Sequence, residues 1–218
     1  EVLMEVVADG LPPATKISFK NANTYTAEGK HYYGPGLQFD LTAEDQYAGV
    51  ETIYVSVDEE NYTAYLSTRS IQKEGQLTIR FQASDRVGNL EPGKSNTLIS
   101  DLTAPSITHN INGISDSNTI ASSSTIYFTA TDNLSGVSKS YYRFDDQPFI
   151  VYPGSNLNLS HLEDGPHVLE YYSVDYVGNR SINTTFNFYY DKLAPLTASD
   201  ILGDKYLYQE KVYFSGRT

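Results

Sequence analysis

One stretch of this chain occurs twice, and that recurrence limits what the chain can fold into. Ala43-Glu44-Asp45-Gln46-Tyr47-Ala48-Gly49-Val50 returns as Ala130-Thr131-Asp132-Asn133-Leu134-Ser135-Gly136-Val137. Each copy is followed by Asp-x-x-Gly-Asn, first as Asp85-Arg86-Val87-Gly88-Asn89 and then as Asp175-Tyr176-Val177-Gly178-Asn179. Asp45 recurs 87 residues on, and Asp85 recurs 90 residues on. A loop insertion between Asp145 and Gly165 accounts for the difference. Self-similarity at a fixed offset marks tandem units. A unit of about 90 residues is the size of a β-sandwich rather than of a solenoid repeat.

The joints between units also recur. Asp9-Gly10-Leu11-Pro12-Pro13, Asp101-Leu102-Thr103-Ala104-Pro105 and Asp191-Lys192-Leu193-Ala194-Pro195 occupy matching places. Proline lacks an amide donor and holds its predecessor extended, so it ends one ladder and starts the next unit stiffly. The chain therefore divides into four parts. Residues 1–8 match the last strand of a unit, as if a repeat preceded them. Residues 9–101 and 102–191 are two full repeats. Residues 192–218 begin a third, in which Val212-Tyr213-Phe214 matches Ile126-Tyr127-Phe128 before Ser215-Gly216-Arg217-Thr218 replaces the Asp turn. No signal peptide opens the sequence, so an exported protein containing it would be longer.

Within each unit the apolar residues alternate. Leu37, Phe39, Leu41 and Ala43 interleave with polar residues, as do Ile53, Val55 and Val57, and then Leu77, Ile79, Phe81 and Ala83. Their counterparts are Ile126, Phe128 and Ala130, then Tyr142 and Phe144, then Leu169, Tyr171 and Ser173. Period-two patterning predicts strands with one buried face. No segment holds a helical period, so the fold class is all-β, as tandem immunoglobulin-like β-sandwich domains. The polar, Gly-bearing segment from Glu28 to Gly36 reads as irregular. His31 and His161 fall in predicted turns, and His167 begins a strand.

The joint Asp…Pro, the Ala-x-Asp-x-x-(Ser/Ala)-Gly-Val turn and Asp-x-x-Gly-Asn together resemble the bacterial immunoglobulin-like (Big-type) tandem repeats of large surface and secreted proteins. The resemblance covers nearly the whole chain, and the incomplete third copy departs from it. It implies a non-catalytic extracellular or cell-surface module, with the periplasm as the other compartment: a semi-rigid spacer or adhesin segment in a larger protein. Its partners would be adjacent repeats of the same protein, and beyond them another protein chain or a cell-surface glycan.

Composition excludes several alternatives. Formal charge is −12, which argues against nucleic acid as a partner. No apolar run is long enough to insert in a membrane as a helix. There is no Cys, so stability rests on cores rather than disulfides. His31, His109, His161 and His167 show no His-Glu-x-x-His spacing, and no Gly-x-Ser-x-Gly elbow is present. With 27 carboxylates some acidic pairs arise by chance, so the reading is not an enzyme.

Two site readings remain. In an immunoglobulin-like topology the loops bearing Asp45 and Asp85 share one end with the incoming joint bearing Asp9. Asp101, Asp132 and Asp175 would gather in the same way. Three carboxylates could hold Ca²⁺, a hard cation that accepts irregular oxygen shells, although no cofactor is required. The plainer reading, which we prefer on sequence, is that each Asp caps a turn by accepting backbone N–H bonds, with Gly49, Gly88, Gly136 and Gly178 at positive φ. The second site reading is a glycan-binding accessory module of a secreted enzyme. The 19 Tyr suit it, including the doublets Tyr32-Tyr33, Tyr141-Tyr142, Tyr171-Tyr172 and Tyr189-Tyr190, whereas the lack of Trp counts against it. Strand alternation puts one ring of each doublet inward and the other outward. A third possibility is an assembly subunit whose incomplete ends complement a partner strand.

Overall fold

The computed structural model describes residues 4, 6–58, 60–198 and 205–214. Among them every regular element is a strand. Two sandwiches follow one another, each with a three-stranded and a six-stranded sheet of the same topology. In the first, Ala14–Lys20, Gln38–Glu44 and Arg69–Ser70 form the small sheet. Thr24–Ala27, Lys30–Tyr33, Lys94–Ser100, Gly75–Asp85, Val50–Val57 and Thr63–Ala64 form the large one, in that spatial order. In the second, Ser106–Asn112, Thr125–Thr131 and Leu157–Asn158 face Ser115–Asp116, Thr119–Ala121, Thr184–Asp191, Gly165–Asp175, Val137–Phe144 and Ile150–Val151. Each large sheet has one parallel pairing, Tyr32 with Ile99 and Ile120 with Tyr190. Each also carries a register shift at the same place, between Val50 and Thr52 and between Val137 and Lys139. These are immunoglobulin-like β-sandwiches.

The alternating apolar positions become the cores. Leu37, Phe39, Leu41, Val55, Leu77, Ile79 and Phe81 close the first. Ile126, Phe128, Phe144, Leu169, Tyr171, Phe188 and Tyr190 close the second. Two of the four Tyr doublets split in exposure as alternation requires, and both members of the other two are half-buried. Tyr171 and Tyr190 are buried, while Tyr172 is half-buried and Tyr189 is exposed. Buried Tyr171 also needs a polar partner, and His109 Nδ1 lies 2.8 Å from its hydroxyl.

The segment read as irregular is instead a hairpin, Thr24–Ala27 with Lys30–Tyr33, turned by Glu28 and Gly29 at positive φ. His31 therefore sits in a strand rather than a turn. A short hairpin whose strands read Thr-Tyr-Thr-Ala and Lys-His-Tyr-Tyr leaves no period-two aliphatic trace. Its second strand nevertheless adds to Lys94–Ser100 through parallel bonds. Of the strand expected over residues 1–8, residues 4 and 6–8 are described; they are exposed and not in a strand, and the other four lie outside the described residues. Of the third copy, Lys205–Tyr208 pairs with Lys211–Phe214 as a hairpin, and 199–204 and 215–218 lie outside the described residues.

Candidate functional site

The six aspartates named from sequence come together as two clusters. Asp9, Asp45 and Asp85 each place a carboxylate oxygen within 4.8 Å of the others, and so do Asp101, Asp132 and Asp175. Folding logic brings them there. Asp45 and Asp132 open the connection between the sheets, Asp85 and Asp175 end the longest strand, and Asp9 and Asp101 arrive with the joint.

The hydrogen bonds are almost identical in the two corners. Asp45 Oδ2 accepts from Tyr47 N at 3.0 Å and Gly49 N at 2.8 Å, and Asp132 Oδ2 accepts from Leu134 N at 3.1 Å and Gly136 N at 2.8 Å. Asp85 Oδ1 accepts from Val87 N and Asn89 N, and Asp175 Oδ1 from Val177 N and Asn179 N. The joint aspartates cross-link the turns. Asp9 Oδ2 takes Ala48 N at 2.8 Å, and Asp101 Oδ2 takes Ser135 N at 2.9 Å. Asp9 Oδ1 and Asp101 Oδ1 accept from their own joints, at Leu11 N and Thr103 N. Gly49 and Gly136, at φ 76° and 88°, supply the left-handed turn that aims these amides inward.

Sequence reasoning gave Asn89 and Asn179 no structural role beyond completing the motif, with Asn179 also opening a chance Asn-x-Ser triplet. They are the clamps. Asn179 Nδ2 donates to Asp175 Oδ2 at 2.7 Å and to the Asp101 carbonyl at 3.0 Å. Asn89 Nδ2 does the same to Asp85 Oδ2 at 2.7 Å and the Asp9 carbonyl at 3.2 Å. The available signal was the fixed spacing of four residues from Asp85 and from Asp175.

In the second corner, five of the six carboxylate oxygens accept N–H bonds, so turn capping explains most of the arrangement. The sixth does not fit that account. Asp132 Oδ1 is buried with no hydrogen-bond partner. Hard oxygen donors with one orphaned carboxylate oxygen suit a cation such as Ca²⁺. The two corners differ in their electrostatics. Burial pushes the Asp175 carboxyl up, outweighing the bonds from Asn179, with the Asp101 charge adding to the rise. At Asp85 burial pushes upward too, but the bonds from Asn89, Val87 and Gly88 win and hold the carboxyl below its usual range. The loops share one conformation, with Gly88 and Gly178 both at φ 96°. What differs is the cover: Val177 is 0% exposed against 62% for Val87.

The histidines do other work. His109 stacks on Phe186 with centroids 4.1 Å apart, and burial lowers its basicity. His167 bonds Asp145 Oδ2 at 2.8 Å through Nδ1 and the Glu163 carbonyl at 2.9 Å through Nε2. With both ring nitrogens engaged, it pins the start of a strand and has none free to act as a base. One outward Tyr is also occupied. Tyr172 stacks on Tyr141 at 4.9 Å, and the Arg180 guanidinium lies 3.8 Å over the same ring, so its faces are already covered. A sugar needs an open ring face, and Tyr172 does not offer one.

Among the described residues no helix is long and apolar enough to cross a membrane. No protein-family model matches the chain, and no curated protein does. Among solved structures the chain is similar to the fibronectin(III)-like modules of Clostridium thermocellum CbhA, at 10% identity and a TM-score of 0.41, over 85% of this chain and 100% of that one.

Proposed function

We propose that this chain is a non-catalytic spacer: repeats 9–101 and 102–191 joined stiffly to hold neighbouring parts of a larger protein at a set distance outside the cytoplasm. The observation that carries this reading is the joint. Leu102–Pro105 is short, and it is flanked by contacts between the sandwiches rather than by a flexible linker. Tyr25 of the first stacks on Tyr176 of the second, with centroids 4.2 Å apart and planes 11° apart. Glu74 accepts from Thr103 and from Asn133, both at 2.6 Å. Small-angle scattering of the full chain tests the reading. The expected profile is that of a two-unit rod, and a profile fitting a compact globule would refute it.

A second reading concerns the corners and is favoured by the orphaned Asp132 Oδ1. In it Ca²⁺ binds Asp101, Asp132 and Asp175, and Asp9, Asp45 and Asp85 form the matching site in the first repeat. A ligand that binds only the folded state raises the melting midpoint. Melting in millimolar Ca²⁺ and in EGTA should therefore differ by several degrees, and the second sandwich's share of that difference should vanish with Asp132→Asn and Asp175→Asn while the first sandwich keeps its own. Identical midpoints would leave the aspartates as turn caps alone.

A further inference from the structure

The 175–179 loop turns the second sandwich's longest hairpin, yet Asp175, Val177 and Asn179 in it are buried. The residue beneath it is Gly34, just past the end of the strand Lys30–Tyr33 of the first sandwich. A Cβ on Gly34 would stand 2.5 Å from the Val177 carbonyl oxygen and 3.2 Å from Val177 Cβ. Gly34 is not at positive φ, so its own backbone would accept alanine. The reason for glycine here lies in the other sandwich. Asn23 closes the same contact from the side, with its Nδ2 2.6 Å from where a Cβ of Gly178 would lie. Tyr25 on Tyr176 completes it.

The chain contains its own comparisons. The 85–89 loop of the first sandwich has the same conformation, but a Cβ at Gly88 would meet nothing within 4 Å, and Val87 is exposed. So Val177 is buried by its neighbour and not by its own fold. At the far end of the second sandwich, the parallel pairing of Ile120 with Tyr190 and Ala121 with Asp191 places Ala121 where Gly34 stands in the first. Its Cβ fills the space that the lock needs. A following repeat cannot seat its loop there in the same pose.

We propose that Gly34 is the socket, and the Tyr176-Val177-Gly178 tip the plug, of a directional lock between successive sandwiches. The partner that fits the socket is a repeat of this same kind presenting an Asp-x-Val-Gly-Asn tip. The corresponding tip at Val87 is a free plug suited to a sandwich with glycine at the end of its third strand. This rests on the rod reading and gives it a specific cause.

The chain has no Cys, so paired labels are simple to place. Spin labels at Ser18→Cys and Thr108→Cys, both exposed strand positions, report the distance between the sandwiches. The parent should give one narrow distance distribution. Gly34→Ala should broaden it several-fold, as should Val177→Ser, which strips the methyls from the buried plug and puts a hydroxyl in their place without adding a clash. Val87→Ser should leave it unchanged. A broad distribution in the parent would overturn the rod reading itself. A narrow parent that stays narrow in both Gly34→Ala and Val177→Ser would overturn the lock while leaving the rod intact.

Discussion

Asn179 and Asn89 make the same bonds from the same motif, so truncating each to alanine separates the motif from its setting. Asn179→Ala removes a donor to the Asp175 carboxylate at 2.7 Å and another to the Asp101 carbonyl at 3.0 Å. A bond to a charged acceptor contributes about 1.5–3 kcal/mol, and a buried carbonyl left without its donor costs about 1–3 kcal/mol more. The site is 7% exposed and roofed by the first sandwich, so water is poorly placed to replace the amide. The expected loss is about 3–5 kcal/mol. Asn89→Ala deletes the equivalent bonds at 2.7 and 3.2 Å, but from a half-exposed corner. Water can take over there, and the expected loss is about 1–2 kcal/mol. Urea unfolding, followed by amide exchange in Gly165–Asp175 and in Gly75–Asp85, assigns each loss to its sandwich. With a slope of about 1–3 kcal/mol per molar, Asn179→Ala should lower the second sandwich's midpoint by roughly 2 M. Losses that are equal, or larger for Asn89→Ala, would refute the claim that neighbour cover raises the cost.

Two further predictions concern pH. Glu91 is buried and accepts from Thr15 N at 2.9 Å, from the Thr15 hydroxyl and from Lys94; burial pushes its carboxyl up, but these bonds outweigh it and hold it below its ordinary value. A depressed carboxyl contributes stability above its unfolded value of about 4.3, and that stability is lost as pH falls through the folded value. Glu91→Gln should cost the first sandwich about 1–3 kcal/mol at pH 7 and flatten its acid limb; an unchanged acid limb would contradict this. His167 is opposite in sign. Burial pulls it down, but Asp145 and the Glu163 carbonyl outweigh burial and raise it. Its contribution is complete below the unfolded value of about 6.5 and is lost as pH rises through the folded one. His167→Gln should therefore destabilise the second sandwich more at pH 5.5 than at pH 8.5, as read by melts at the two pH values, and an equal loss at both would count against the ion pair.

Much of the fold was legible because it depends on local periodicity. Phe39 and Leu41, or Ile79 and Phe81, announce a buried strand face wherever they occur, and a repeated Asp-x-x-Gly-Asn announces a repeated turn. The gathering of Asp9, Asp45 and Asp85, and of Asp101, Asp132 and Asp175, followed from the topology alone. What was hidden depends on partners distant in sequence. The hairpin of residues 24–33 holds no aliphatic larger than Ala27 and is completed by adding to Lys94–Ser100, so residues 28–36 looked like loop. Val87 and Val177 occupy one motif position, yet one is exposed and the other sealed, because only the second meets Gly34. The opposite carboxyl shifts at Asp85 and Asp175 follow from the same cover. Asn179 is a clamp because of where the Asp101 carbonyl arrives, which its four-residue spacing from Asp175 marks but does not explain.

The most direct measurement is ¹⁵N relaxation on the full chain, comparing amides of Val50–Val57 with those of Val137–Phe144. A stiff spacer predicts one shared overall tumbling for both strands, slower than either sandwich would show alone. Two separate correlation times, each appropriate to a unit of about 90 residues, would contradict the account.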